Sequence, residues 1–301
     1  MTASSRARAA ALALALAGCS GGGPASSDVS AVGGSTAPAD AGVTELVGEV
    51  HLHQLPGGSH AWTSFLGQSV PVAAATKDSI TEIDTVATTE EGPCTLYVAP
   101  DCAPACLGTT FCFAPDTCQQ FPQWTYIDGG PVQVTGSTLV PLIRMWWNAD
   151  ADAYDSDPAP GGPQLFAGGD KLHIVGGTGD LAFEQDVQAP AAVDLITPDP
   201  STDFHLASGA IEVTWTAESS GSIEILVISQ ASSGASAQIR CVTTDTGELT
   251  VPADLAVALP PPPRQTSFQI LRNVVRIAPL ARPGAGVFVH AGQTTWMNGA
   301  D

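Results

Sequence analysis

Ala210-Ile-Glu-Val-Thr-Trp215 and Ser222-Ile-Glu-Ile-Leu-Val-Ile228 decide the fold class. In the first run Ile211, Val213 and Trp215 share one face of an extended chain, and Glu212 and Thr214 take the other. In the second, Ile223, Ile225 and Val227 repeat that period of two. A strand with one apolar face must bury it against another layer. Outward from this pair, Lys171-Leu-His-Ile-Val175, Ala192-Val-Asp-Leu-Ile196 and Ser236-Ala-Gln-Ile-Arg-Cys-Val242 read as further strands. Phe268–Ile277 and Val287–His290 read as the last two. Leu46-Val-Gly-Glu-Val-His-Leu-His53, Trp62–Val72 and parts of Thr125–Trp147 extend the pattern toward the N-terminus. Asp245-Thr-Gly247 reads as a turn, Asp150–Gly162 as a loop, and Pro252–Leu259 as one short helix with proline in its first turn. The chain has 31 Gly, 24 Pro and only 13% charged residues. Short strands separated by turn residues, without a strong amphipathic helix, predict an all-β fold. The expected form is a β-sandwich, immunoglobulin-like or a related Greek key, preceded by a disulfide-clamped β/loop region.

The first residues carry an address. Arg6 and Arg8 precede an apolar run, Ala9–Leu16, which ends in Leu16-Ala-Gly-Cys19. A positive start, a short apolar core and small residues are the layout of a secretory signal. Ala9–Gly18 is too short for the roughly 20 apolar residues of a membrane-spanning helix. Leu-Ala-Gly-Cys resembles the lipobox of bacterial lipoproteins. The resemblance implies cleavage before Cys19, a diacylglycerol on its thiol and anchoring in a membrane; Ser20, in place of Asp, implies sorting to the outer membrane. Acyl chains contribute about 0.8 kcal/mol per buried CH₂, so several chains hold firmly. The expected organisation is a signal at 1–18, a Gly/Ser/Ala/Pro-rich tether at 19–42, an N-terminal β region at 43–147 and a C-terminal sandwich region at 163–301. The last two could form one continuous domain.

A second resemblance is broader. The lipobox, the polar tether, a cysteine-dense loop, Gly129-Gly-Pro-Val132, the Trp215 strand, Ile239-Arg-Cys241, Asp245-Thr-Gly247 and Leu249-Thr-Val-Pro252 are similar to a group of uncharacterised myxobacterial-type outer-membrane lipoproteins. It implies address and architecture and carries no activity.

Charge excludes one class of partner. The chain has 30 acidic against 10 basic residues, a formal net charge of −20. Without Arg6 and Arg8 that becomes −22. There is no basic patch to neutralise phosphates, so nucleic acid is not an expected partner. An acidic surface does attract cations.

With Cys19 given to lipid, six cysteines remain: Cys94, Cys102, Cys106, Cys112, Cys118 and Cys241. An even count in an exported chain reads as disulfides. The segment 94–118 has few core residues of its own and needs crosslinks. Cys241 shares a strand face with Ile239 and Ala237 and is expected to point inward. Parity favours a bond from the loop to Cys241, and sequence leaves the pairing open.

Four groups of residues carry candidate chemistry. Asp150, Asp152, Asp155 and Asp157 put four carboxylates in eight residues, a candidate Ca²⁺ site. The run is not an EF-hand, having Asp155 where glycine and Gly161 where glutamate would stand. His51 and His53, two apart on a strand, point the same way and with His60 could hold Zn²⁺ or Cu²⁺; otherwise they lie on an exposed strand face. Asp245-Thr-Gly247 matches the aspartic-protease tripeptide, but those enzymes need two such aspartates and one is present. Trp124, Tyr126, Trp146 and Trp147 could stack a sugar, or pack as core with one of the adjacent pair facing out. No Gly-x-Ser-x-Gly elbow or phosphate-cradling loop occurs. The expected function is a non-catalytic binding or structural lipoprotein whose partner is the membrane plus a glycan or an envelope protein. The alternatives are a hydrolase without a recognisable motif and a Ca²⁺-stabilised adhesion module.

Overall fold

The computed structural model describes residues 42–72, 87–100, 106–107, 110–114, 116–120, 124–206, 209–218, 221–232 and 235–300. The signal, all but the last residue of the tether, Cys19 and Cys102 lie outside the described residues.

The elements run β1 (Glu45–Leu55), β2 (Gly58–Pro71), β3 (Ala87–Glu91), β4 (Cys94–Val98), β5 (Thr110–Ala114), β6 (Thr117–Gln120), β7 (Val132–Thr135), β8 (Ile143–Asn148) and β9 (Ala153–Asp157). They continue with β10 (Lys171–Gly176), β11 (Phe183–Gln188), β12 (Leu195–Thr197), β13 (Ile211–Trp215), β14 (Ser222–Ala231), β15 (Ser236–Thr244) and β16 (Glu248–Val251). The helix α1 (Ala253–Val257), β17 (Arg264–Pro279) and β18 (Ala285–Ala300) complete the chain. No helix among the described residues is long and apolar enough to cross a membrane.

The protein is an all-β sandwich built around one long sheet, ordered β2-β1-β18-β17-β14-β15-β4-β3. A five-stranded sheet, β11-β10-β7-β8-β9, faces one half of it, and a three-stranded sheet, β12-β13-β16, faces the other. The alternation read from the sequence places the cores. Ile223, Ile225 and Val227 are fully buried in the second core with Ile211, Val213 and Trp215. Val50, Leu52, Phe65, Val134, Ile174 and Val289 meet in the first. The strands β17 and β18, 16 residues each, run through both cores.

The two ends of the sequence meet in this sheet. β1 pairs with β18 in parallel, with His51 opposite His290. Residues 45–71 and 285–300 are thus neighbours, and regions expected as 43–147 and 163–301 share strands of one sheet.

Three expectations change. Asp150–Gly162 is not all loop: Ala153–Asp157 is β9, paired with β8. Its Tyr154 packs on the first core and anchors a strand whose other side chains are polar. The last strand reaches from Ala285 to Ala300, well past His290. Its second half, rich in Gly, Gln, Thr and Asn, lacks an apolar alternation because it follows β17 in backbone register to Ala300 rather than by side-chain pattern. The cysteine-dense segment also holds strands. Cys94 lies in β4, directly opposite Cys241 in β15, and the two are disulfide-bonded. Both are buried, and the bond ties β4 to β15 within the sheet. Cys106 bonds Cys118, and Cys112 is disulfide-bonded as well.

Candidate metal centre

The outer face of the long sheet should be polar and wet, since its inner face supplies both cores. Instead it holds a buried polar cluster. β1 puts Glu49, His51 and His53 on this face by the period of two. The parallel pairing with β18 then sets His290 beside His51. Gly292 is the partner of His53, so no side chain fills that place. His51 and His290 are 2% and 0% exposed, and Glu49 is fully buried.

His51, His53 and His290 each offer one nitrogen to a single cluster, and these atoms all lie within 4.8 Å of one another. His53 Nε2 is 2.8 Å from His290 Nδ1, and His290 Nδ1 is 3.3 Å from His51 Nδ1. Nitrogens bound tetrahedrally at about 2.0–2.1 Å from Zn²⁺ stand roughly 3.3–3.4 Å apart. The His51–His290 spacing already matches, and the His53–His290 pair must open by about half an ångström.

His51 is held from behind. His51 lies flat on Trp62, with centroids 3.9 Å apart and planes 4° from parallel. Its far nitrogen, Nε2, is 3.2 Å from Glu49 Oε2, and Glu49 Oε1 accepts from Ser64 Oγ at 3.1 Å. A proton on Nε2 leaves Nδ1 with its lone pair toward the cluster; a carboxylate behind a metal-binding histidine fixes the tautomer in this way. His290 presents Nδ1 inward, while its Nε2 is buried without a hydrogen-bond partner. A Cβ added at Gly292 would meet Asn273 Oδ1 at 2.8 Å and His290 Nε2 at 3.4 Å, so glycine leaves room for that ring. Asn273 Oδ1 is likewise buried without a partner. Beyond Asn273, its Nδ2 donates to Glu224 Oε2 at 3.5 Å, and Glu224 Oε1 faces Arg240 Nε at 2.5 Å.

Burial keeps His53 and His290 neutral. Desolvation, then the fields of His51 and His60, lower the His53 pKa to about 3. Burial first, then His53, His51 and Arg240, hold His290 well below the ordinary histidine value. A neutral imidazole is the form that binds metal, so protons compete weakly here.

His51 and His53 are thus brought together as the sequence suggested, but in a buried cluster rather than on an exposed face. The third nitrogen comes from His290, and His60 remains exposed outside the group. Nothing local in the sequence marks His290, because its role depends on parallel pairing of strands 239 residues apart. The Glu49-x-His51-x-His53 spacing was a readable signal for the supporting carboxylate.

The other candidates lie elsewhere. Asp150 and Asp152 are in the β8–β9 turn, and Asp155 and Asp157 are exposed on β9. No three of these carboxylates converge within 4.8 Å. Asp155 accepts from Asn148 Nδ2 at 2.9 Å instead. Asp245 is an acceptor for Trp215 Nε1, the Glu218 amide and Arg272 Nε, at 2.6, 3.1 and 2.7 Å. That binds it into the fold. Trp146 and Tyr126 are exposed, Trp147 packs edge-on against Tyr154, and Trp124 lies on a small apolar cluster with Phe288 and Ile277. No ring contact joins the four aromatics into one platform among the described residues.

No protein-family model and no curated protein matches the chain. Among solved structures it is similar to the FN1–FN3 domains of chicken CNTN1, at 8% identity over 81% of this chain and 78% of that one, with a TM-score of 0.20. That likeness is too slight to transfer a function.

Proposed function

We propose that the chain is an exported, non-catalytic lipoprotein, tethered through Cys19 to the outer membrane, that binds a transition-metal ion at His51, His53 and His290. The observation that carries the metal reading is the gathering of three imidazole nitrogens within 4.8 Å of one another, on two buried rings and one half-buried ring. Imidazoles favour Zn²⁺, Cu²⁺ and Ni²⁺ over Ca²⁺ or Mg²⁺, which take oxygen. The buried Glu49 behind His51 supports the same reading, since ligating histidines are commonly braced by a carboxylate. A cation-attracting chain of net charge −20 suits capture of a metal. The address rests on the lipobox resemblance at Leu16–Cys19, and a lipid tether would display the sheet off the membrane. The non-catalytic reading rests on the sequence, which carries no Gly-x-Ser-x-Gly elbow and a single Asp-Thr-Gly tripeptide.

Calorimetric titration of the metal-free full-length chain with Zn²⁺ and with Cu²⁺ tests this. One ion per chain is expected, with binding lost in His290→Ala. A wild-type chain that binds neither ion at this stoichiometry would end the proposal.

A further inference from the structure

Three imidazoles leave a tetrahedral ion one ligand short. The place of the fourth decides whether the site stores the ion or lets it exchange. His51 and His290 are closed off by burial, and His290 is backed by Asn273 and the gap at Gly292. Exposure rises toward β2, the edge strand, at the end where β1 turns into β2: His53 is half-buried, and Leu55 and His60 are exposed. There His60 is paired directly with His53, two pairs before the turn at Leu55 and Gly58.

Directly paired residues of an antiparallel ladder project to the same face, with Cβ atoms about 4.5–5.5 Å apart. His60 therefore stands on the same side of the sheet as His51, His53 and His290. It is exposed, whereas its neighbours Ser59 and Ala61 are buried, so its ring can change rotamer without disturbing the core. It is close enough to interact electrostatically with both His51 and His53. In the described rotamer its nitrogens lie outside the converging group.

Resting on the three-histidine reading above, we infer that His60 is the fourth ligand, an exposed imidazole that swings over a bound Zn²⁺ or Cu²⁺ ion and closes the site. His51, His53 and His290 then form a fixed seat, and His60 is the part that opens. Metal enters and leaves on the β2 side of the sheet, where a solvent-borne carrier or chelator can reach it. The site suits capture and exchange of an ion more than permanent structural storage. Around Cu²⁺ a site of four nitrogens has no vacant equatorial position for an added small ligand, while a site of three does.

That difference supplies the test. The full-length chain, loaded with one equivalent of Cu²⁺, is examined by electron paramagnetic resonance with and without added imidazole, as wild type and as His60→Ala. The wild-type spectrum should show four nitrogen ligands and stay unchanged when imidazole is added. The His60→Ala spectrum should show three, and added imidazole should restore the wild-type form. The affinity of the variant should fall by at least the 10–100-fold typical of losing even an outer partner of a metal ligand. Circular dichroism before loading checks that the variant is folded, and His60→Gln, an exposed polar replacement, gives a second folded chain with the same expected loss. A wild-type spectrum that shifts with imidazole, or a His60→Ala spectrum and affinity equal to wild type, overturns the inference and leaves the three-histidine site standing. Failure of the wild-type chain to bind Cu²⁺ defeats that site and this inference together.

Discussion

Glu49 has no apolar reason to be fully buried, and its two oxygens are both spoken for, one by His51 and one by Ser64. A buried carboxylate is costly unless it is hydrogen-bonded or paired, so its placement behind a convergent histidine is informative. Glu49→Gln keeps the shape and removes the charge; it should weaken Zn²⁺ binding about 10–100-fold, read by competition against a chromogenic chelator. Equal affinity would show that Glu49 only packs. The histidines also give the metal-free fold a pH dependence. His53 has a folded pKa of about 3 against 6.5 in the unfolded chain. Between those values the unfolded chain takes up more protons, so stability rises with pH through the window and falls as acid is added. Melting in chelator from pH 7 to pH 4 should show a falling Tm, with a shallower fall in His53→Ala. How much of the site was legible follows from its parts. The His51–His53 pair and Glu49 two residues before it share a strand face by simple alternation. His290 was hidden, because no local pattern announces a parallel pairing between the first strand and the last. His60 was read as a third ligand on equal terms with the other two, and only the burial pattern sets it apart.

At the scale of elements, two sandwich cores must join under one sheet, and Arg272 on β17 marks the junction. Its side chain is 1% exposed and points to the inner face, between Val274 of the first core and Ile270 of the second. Its Nε donates to Asp245, Nη1 to the carbonyls of Ala191 and Ala192, and Nη2 to the carbonyl of Thr216. Residues 191–192 are the segment that crosses from β11 in the five-stranded sheet to β12 in the three-stranded one. The guanidinium thus fastens the crossover to the long sheet, and Asp245 balances its charge. Removing one partner of a buried ion pair strands the other. Asp245→Ala should therefore cost about 3–5 kcal/mol in urea unfolding, with metal affinity unchanged because the pair lies on the opposite face from the histidines. A loss below about 1 kcal/mol would place the pair among weak surface contacts. The sequence showed Asp245-Thr-Gly247 only as a turn or a protease-like tripeptide. Its partner, Arg272, comes from a strand 27 residues on and could not be paired with it by spacing.

For the whole molecule, alternating strands and turn residues were enough to give the all-β sandwich. The arrangement of two short sheets on one long sheet was not readable, since β17 and β18 serve both cores and were read only as Phe268–Ile277 and Val287–His290. The metal site lies where that long sheet joins the first and last strands of the described fold. An ion held by β1 and β18 ties those ends together, and it binds only the folded chain. Zn²⁺ at 100 times its Kd should then add about 2.7 kcal/mol, a Tm rise of roughly 5–10 °C for a fold of this size. The rise should be absent in His290→Ala.

The most direct measurement is anomalous X-ray scattering from a crystal of the chain grown with Zn²⁺, recorded on both sides of the zinc edge. A single strong peak is expected at bonding distance from His51 Nδ1, His53 Nε2 and His290 Nδ1. A zinc-bound crystal with no peak among these three nitrogens would contradict the account.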